Sequence, residues 1–265
     1  MSLLKKAGAV LALAGFTLCV SNAAHAVPVR VTVTNTATDG GFFLTPVYFG
    51  FHDGSVDLFD VGSAASTGIE NIAEVGSFSA LAAERQAIQP DTVGAAAGMT
   101  PLAPGETRSF VVDLDAINNQ YLFFASMLLP SNDTFIGVDN PLMFDLFNDM
   151  GQFVDQVIDV TTSFAYDAGT EVNDPTIGPA FVDGQAIMAG IDENGVITAA
   201  SSLDNFLGLL LANGGFLDQD ATAFLNNPNF SFARIEISEV PLPPALGLMA
   251  IGLAGLGANV MRRKA

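Results

Sequence analysis

The sequence predicts an all-β fold, an antiparallel β-sandwich with short helical insertions, and three kinds of observation point to it. Residues 29–34 and 234–238 alternate apolar and polar side chains, the period of a strand with one buried face, and residues 108–114 are rich in β-formers. The near-continuous apolar runs at 44–51 and 121–129 are bounded by turn residues, as strands covered on both faces would be. Pro104-Gly105 and Asn194-Gly195 mark turns, and the second is expected to join strands at 186–191 and 196–200 into a hairpin. Helical periodicity is local, at 64–75, 79–87 and 205–212, where Ala and Leu recur.

The two ends read as addresses rather than as parts of this domain. Lys5-Lys6, an apolar run over residues 7–20 and the small-residue site Ala24-His25-Ala26 follow the plan of a secretory signal peptide, so residues 1–26 are assigned to it. At the other end a proline motif, an apolar stretch over 245–261 and the cations Arg262, Arg263 and Lys264 form a tail over 240–265. The apolar part is a short, Gly-rich transmembrane segment, and the basic tip would hold its end on the cytoplasmic side. Val240-Pro241-Leu242-Pro243 resembles the PEP-CTERM tails in their VPLP variant. That resemblance implies an exosortase-type processing enzyme, transient insertion in the inner membrane through residues 244–261, and release or surface attachment in a Gram-negative bacterium that makes exopolysaccharide. A plain membrane anchor is the alternative.

Between these ends, residues 27–239 form one domain. Five of the nine basic residues lie in the end segments, which leaves Arg30, Arg85, Arg108 and Arg234 against all 28 acidic residues. Such a body repels nucleic acid and anionic headgroups and favours cations. The single cysteine, Cys19, lies in the signal, and the domain has neither lysine nor any histidine besides His52. Schiff-base catalysis, Cys-His nucleophiles, a phosphate-loop lysine and multi-histidine zinc sites are therefore excluded.

The domain resembles the spondin N-terminal family. The resemblance rests on Val31-Thr32-Val33-Thr34-Asn35, on His52-Asp53 followed by Leu58-Phe59-Asp60-Val61-Gly62, and on Ala73-Glu74-Val75-Gly76. It is carried furthest by the blocks running from Ala125 through Met127-Leu128-Leu129-Pro130-Ser131-Asn132-Asp133 to Asp139, and by Tyr166-Asp167-Ala168-Gly169-Thr170-Glu171. From Phe181 to Asn229 no family motif appears. The family implies a sandwich similar to a C2 domain, a secreted or matrix setting, and a calcium site whose ligands here would be Asp133, Asp167 and Glu171. Calcium takes six to eight oxygens, and loops at a sandwich rim can supply carboxylates and carbonyls together. Spacing alone leaves these three open as an Asx-turn residue and two solvated loop acids. His52 reads as a satisfied strand-end histidine, Asp53, Asp57 and Asp60 as a solvated loop face, and Asp192-Glu193-Asn194-Gly195 as a hairpin turn.

The expected function is that of an exported, non-catalytic, calcium-binding surface or extracellular-matrix protein acting in adhesion or in exopolysaccharide or biofilm association. An extracellular carboxylate-based glycan hydrolase is the alternative.

Overall fold

The computed structural model describes residues 26–187, 189–218 and 230–241. The expected signal peptide and transmembrane tail therefore lie outside the described residues, apart from Ala26, Val240 and Pro241. No helix of the described residues is long and apolar enough to cross a membrane.

The described chain builds eleven strands and two helices. In order they are β1 (Val27–Asn35), β2 (Phe43–Leu44), β3 (Tyr48–His52), α1 (Thr67–Val75), α2 (Ser79–Ile88), β4 (Val93–Ala96), β5 (Thr107–Leu114), β6 (Tyr121–Leu129), β7 (Thr134–Gly137), β8 (Gln156–Thr161), β9 (Ala165–Asp167), β10 (Thr198–Ala199) and β11 (Ser231–Glu239). A four-stranded sheet has the order β5-β1-β11-β8, and a seven-stranded sheet the order β10-β9-β7-β6-β3-β4, with β2 added beside β6. Every pairing between these strands is antiparallel. The all-β sandwich expected from the sequence is the fold observed.

Periodicity places the two layers. Along β1 and β11 buried positions alternate with more exposed ones, so Val29, Val31, Val33, Ile235 and Ile237 face inward and Arg30, Arg234 and Glu236 face solvent. β3 is buried throughout and β6 almost so, because one face meets the core and α1 lies across β6 and β7 on the other. Ser66 caps α1 by accepting from the Ile69 N–H, and Gly76 ends it in a left-handed conformation (φ 67°). Glu84 of α2 accepts from the Gly68 N–H and the Ser66 hydroxyl, which ties the two helices together.

Three sequence expectations are corrected. The apolar run at 44–51 is split, with β2 ending at Leu44 and β3 starting at Tyr48, because Pro46 has no N–H to donate to a ladder. The helix expected at 205–212 is only a 3-10 turn, Asp204–Phe206. Gly208 then turns left-handed (φ 74°), and Leu210 and Leu211 form isolated bridges to Phe216 and Val182. The hairpin expected around Asn194-Gly195 does not form, since both flanks pair with the segment that carries β9 rather than with each other.

A Cβ placed on Gly50 of β3 would overlap the far end of the buried ring of Phe123, its partner across the strand pair. Gly50→Ala should therefore cost about 1–3 kcal/mol as overpacking. Chemical denaturation measures it, and an unchanged midpoint would show that the ring has room to move.

Candidate functional site

Asp133 ends a short loop that follows β6 through a cis Leu129–Pro130 bond, and Asp167 ends β9. The β7–β9 register sets Thr134 opposite Asp167, so both carboxylates reach the same rim of the seven-stranded sheet. Asp133 is 0% exposed. Its Oδ2 accepts from the Thr170 N–H at 2.8 Å and from the Glu171 N–H at 3.0 Å, while its buried Oδ1 has no hydrogen-bond partner. Burial, then the charges of Asp167 and Glu193, push its carboxyl up to about 7 despite those two backbone bonds.

Asp167 is less deeply buried. Its Oδ1 accepts from the Gly169 N–H and its Oδ2 from the Asn173 amide, both at 2.9 Å, and burial raises its pKa. Gly169 makes the turn possible: its φ is 66°, and a Cβ there would lie 2.6 Å from the Val196 carbonyl oxygen. Asn132 and Asn173 brace the loops from behind. Asn132 donates to the Ile177 carbonyl, and Asn173 accepts from the Asn132 N–H.

Glu171 sits differently from the expectation. Its backbone N–H orients Asp133, while its carboxylate lies against Gly190, where any Cβ would overlap it. Burial, then the charges of Glu74 and Asp192, raise its pKa, and bonds from Asn132 and the Gly190 N–H partly offset them. Among the described residues, no three His, Cys, Asp or Glu side chains are grouped as metal ligands would be. Asp133 and Asp167 are brought together, and the Glu171 carboxylate is directed elsewhere.

The sequence reading missed the acids around Glu171. Residues 191–200 run antiparallel to 165–172: Val172 donates to the Ile191 carbonyl, Glu193 to Thr170 and Gly195 to Gly169. This places Asp192 beside Glu70 and Glu74 of α1 in an open cleft of about 350 Å³, lined also by Thr170 and Asn194. Burial, then the charges of Glu70 and Asp192, raise the pKa of Glu74, and a bond from Thr170 partly offsets them. The four-residue spacing of Glu70 and Glu74 on a helix and the Asp-Glu-Asn-Gly turn were the available signals, but nothing local joined them.

His52 closes β3 and is fully buried. Its Nδ1 accepts from the Gly54 N–H, its Nε2 has no partner, and desolvation lowers its pKa to about 4. It is a strand-end histidine as read, but only half satisfied.

A family model, Spondin_N, matches residues 44–181, which include Asp133, Asp167 and Glu171. The chain belongs to the Spondin_N family. No curated protein matches it. A spondin domain is typical of extracellular proteins and the family is in general non-catalytic, so this is a secreted, extracellular matrix-type protein.

The buried groups give opposed pH dependences. Between pH 3.8 and about 7 the folded state keeps a proton on Asp133 that the unfolded state releases, so stability falls as pH rises. Between about 4 and 6.5 unfolded His52 is charged while folded His52 is neutral, so stability is lost as pH falls. Asp133→Asn removes the first contribution and leaves the second. Its stability should therefore rise with pH more steeply than that of the wild type, by up to about 1.4 kcal/mol per unit. Urea unfolding from pH 4 to 7 tests this, and parallel profiles would show that Asp133 titrates as an ordinary carboxyl.

Proposed function

We propose that the domain is an exported, non-catalytic calcium-binding module of a surface or matrix protein, acting in adhesion or exopolysaccharide association. The observation that supports calcium most is the partnerless Oδ1 of Asp133, buried beside the Asp167 carboxylate. An unpaired buried carboxylate oxygen next to a second carboxylate is costly, and a hard cation offsets both the desolvation and the repulsion. The donors fit calcium as an oxygen-only set with two carboxylates, Asp133 and Asp167, rather than three. Glu171 then serves through its backbone N–H, which fixes the Asp133 carboxylate. A site with few charged ligands suits the weak affinities of extracellular calcium modules.

A glycan hydrolase gains no support from this pair, because a carboxyl acid in that chemistry must touch the glycosidic oxygen and Asp133 exposes no surface. The order of the chain supports the division into a signal over 1–26, a domain over 27–239 and a sorting tail over 240–265. β1 begins at Val27 and β11 ends at Glu239, so the sandwich closes where the two end segments start.

Calcium bound by the folded state alone should stabilise it by about 2.7 kcal/mol at a hundredfold excess over Kd. The melting temperature should rise with calcium and less with magnesium at constant ionic strength, because magnesium sheds water reluctantly. Asp167→Asn should remove most of that rise, and Asp57→Asn should not. Equal shifts in wild type and Asp167→Asn would reduce the acids to a diffuse field. For the tail, intact mass of the protein from its own host should end near Pro244 when an exosortase-type enzyme is present. Recovery of Arg262 and Arg263 on the mature form would leave a plain anchor.

A further inference from the structure

The strand registers put the start of β1 and the end of β11 at one end of the sandwich. Val27 pairs with Leu114, Val29 with Glu239 and Gln156 with Ile237, and the Val240 N–H donates to the Pro28 carbonyl. The loop from Asp115 to Gln120 leaves β5 at this end, and the one from Asn140 to Asp155 leads into β8 there. Asp133 and Asp167 lie at the opposite end, a strand length away, since β6 runs from Tyr121 beside His52 to Leu129 before the acid loop. Nine residues of strand span about 30 Å.

The loop tips at the exit end carry large apolar side chains in solvent. Ile117 is 68% exposed and Met150 78%, with Leu142 and Met143 about half exposed. A Cβ on Gly151 would touch the Ala116 side chain at 3.6 Å, and Leu142 lies against Gly54 and Tyr121, so the tips share one rim. Three of the neighbouring acids each commit an oxygen to a backbone N–H, although Asp145, Asp149 and Asp155 remain exposed. Asp115 accepts from the Ile117 and Asn118 N–H groups, Asp145 from Phe147, and Asp155 from Glu239. The polar groups thus hold the backbone while the apolar side chains leave about half or more of their surface in solvent.

The chain that leaves here gives this rim a specific occupant. Glu239 ends β11, and the apolar stretch of the sequence begins at Ala245, six residues or at most about 21 Å further on. We propose that this end of the sandwich lies against a lipid surface while the tail is intact, with Ile117, Leu142, Met143 and Met150 seated in the headgroup region. The proposal rests on the reading of the tail as a membrane segment. The surface is zwitterionic, because Asp115, Asp145, Asp149 and Asp155 would repel anionic headgroups. The candidate calcium site then faces away from the membrane, towards the matrix.

The sequence contains no tryptophan, so a single introduced one reports on its loop alone. The chain with its tail intact, exported in a host that lacks the processing enzyme, is mixed with phosphatidylcholine vesicles and tested by flotation and by fluorescence. Bromine is carried about 5–10 Å below the headgroups, where interfacial side chains settle. Ile117→Trp and Met150→Trp should shift to the blue and be quenched severalfold, while Ile177→Trp, beside Asn132 at the far end, stays as in water. Flotation without quenching at 117 and 150 would overturn the docking and leave the tail reading standing. A blue shift without quenching would mean that the tail or a second copy covers the rim, which also overturns it. Failure to float would overturn the tail reading, and the docking with it.

Discussion

The constraint on which the site depends is the burial of the Asp133 carboxylate at the end of β6. One oxygen is committed to the amides of Thr170 and Glu171, and this clamps the turn after β9 onto the loop before β7. Once that turn is fixed, its outer edge offers free carbonyls at Gly169 and Thr170, and residues 191–200 pair with them instead of folding back as a hairpin. The clamp is made at a cost. The second oxygen is left without a hydrogen bond in a region already negative from Asp167 and Glu193.

The same segment carries the acids of the neighbouring cleft. Glu171 sits between the two groups, presenting its amide to Asp133 and its carboxylate to the side where Glu74 and Asp192 lie. The domain is therefore polarised. At one end carboxylates converge with few compensating cations. At the other, carboxylates are spent on loop backbones and apolar tips are exposed beside the chain exit. The C-terminal strand makes this separation unavoidable, because β11 lies in the middle of its sheet beside β1 and ends where β1 begins.

The strands with strict alternation were legible in the sequence because a half-exposed sheet writes its period directly, as in β1 and β11. The run at 121–129 was legible through its length and turn-bounded ends, and it is β6 residue for residue. What could not be read locally was pairing. Asn194-Gly195 carries a hairpin signal, yet its flanks found better partners 19 to 35 residues earlier in the chain. Residues 205–212 have helical composition, but Gly208 and the bridges of Leu210 and Leu211 override it. For the site, the motif blocks single out Asp133 and Asp167, and the β7–β9 register sets both at one rim. They could not tell that Glu171 points its amide inward, since side-chain direction there is set by Gly190, a contact between distant segments.

The claim that joins fold to function is that the Asp133 carboxyl is buried, repelled by Asp167 and stabilised by a cation. Carbon-detected NMR titration of that carboxyl, at constant ionic strength with and without calcium, tests it most directly. The expected midpoint is about 7 without calcium, moving clearly downward when calcium is added. A midpoint near the ordinary aspartate value of about 4 without calcium, or one that calcium does not move, would contradict it.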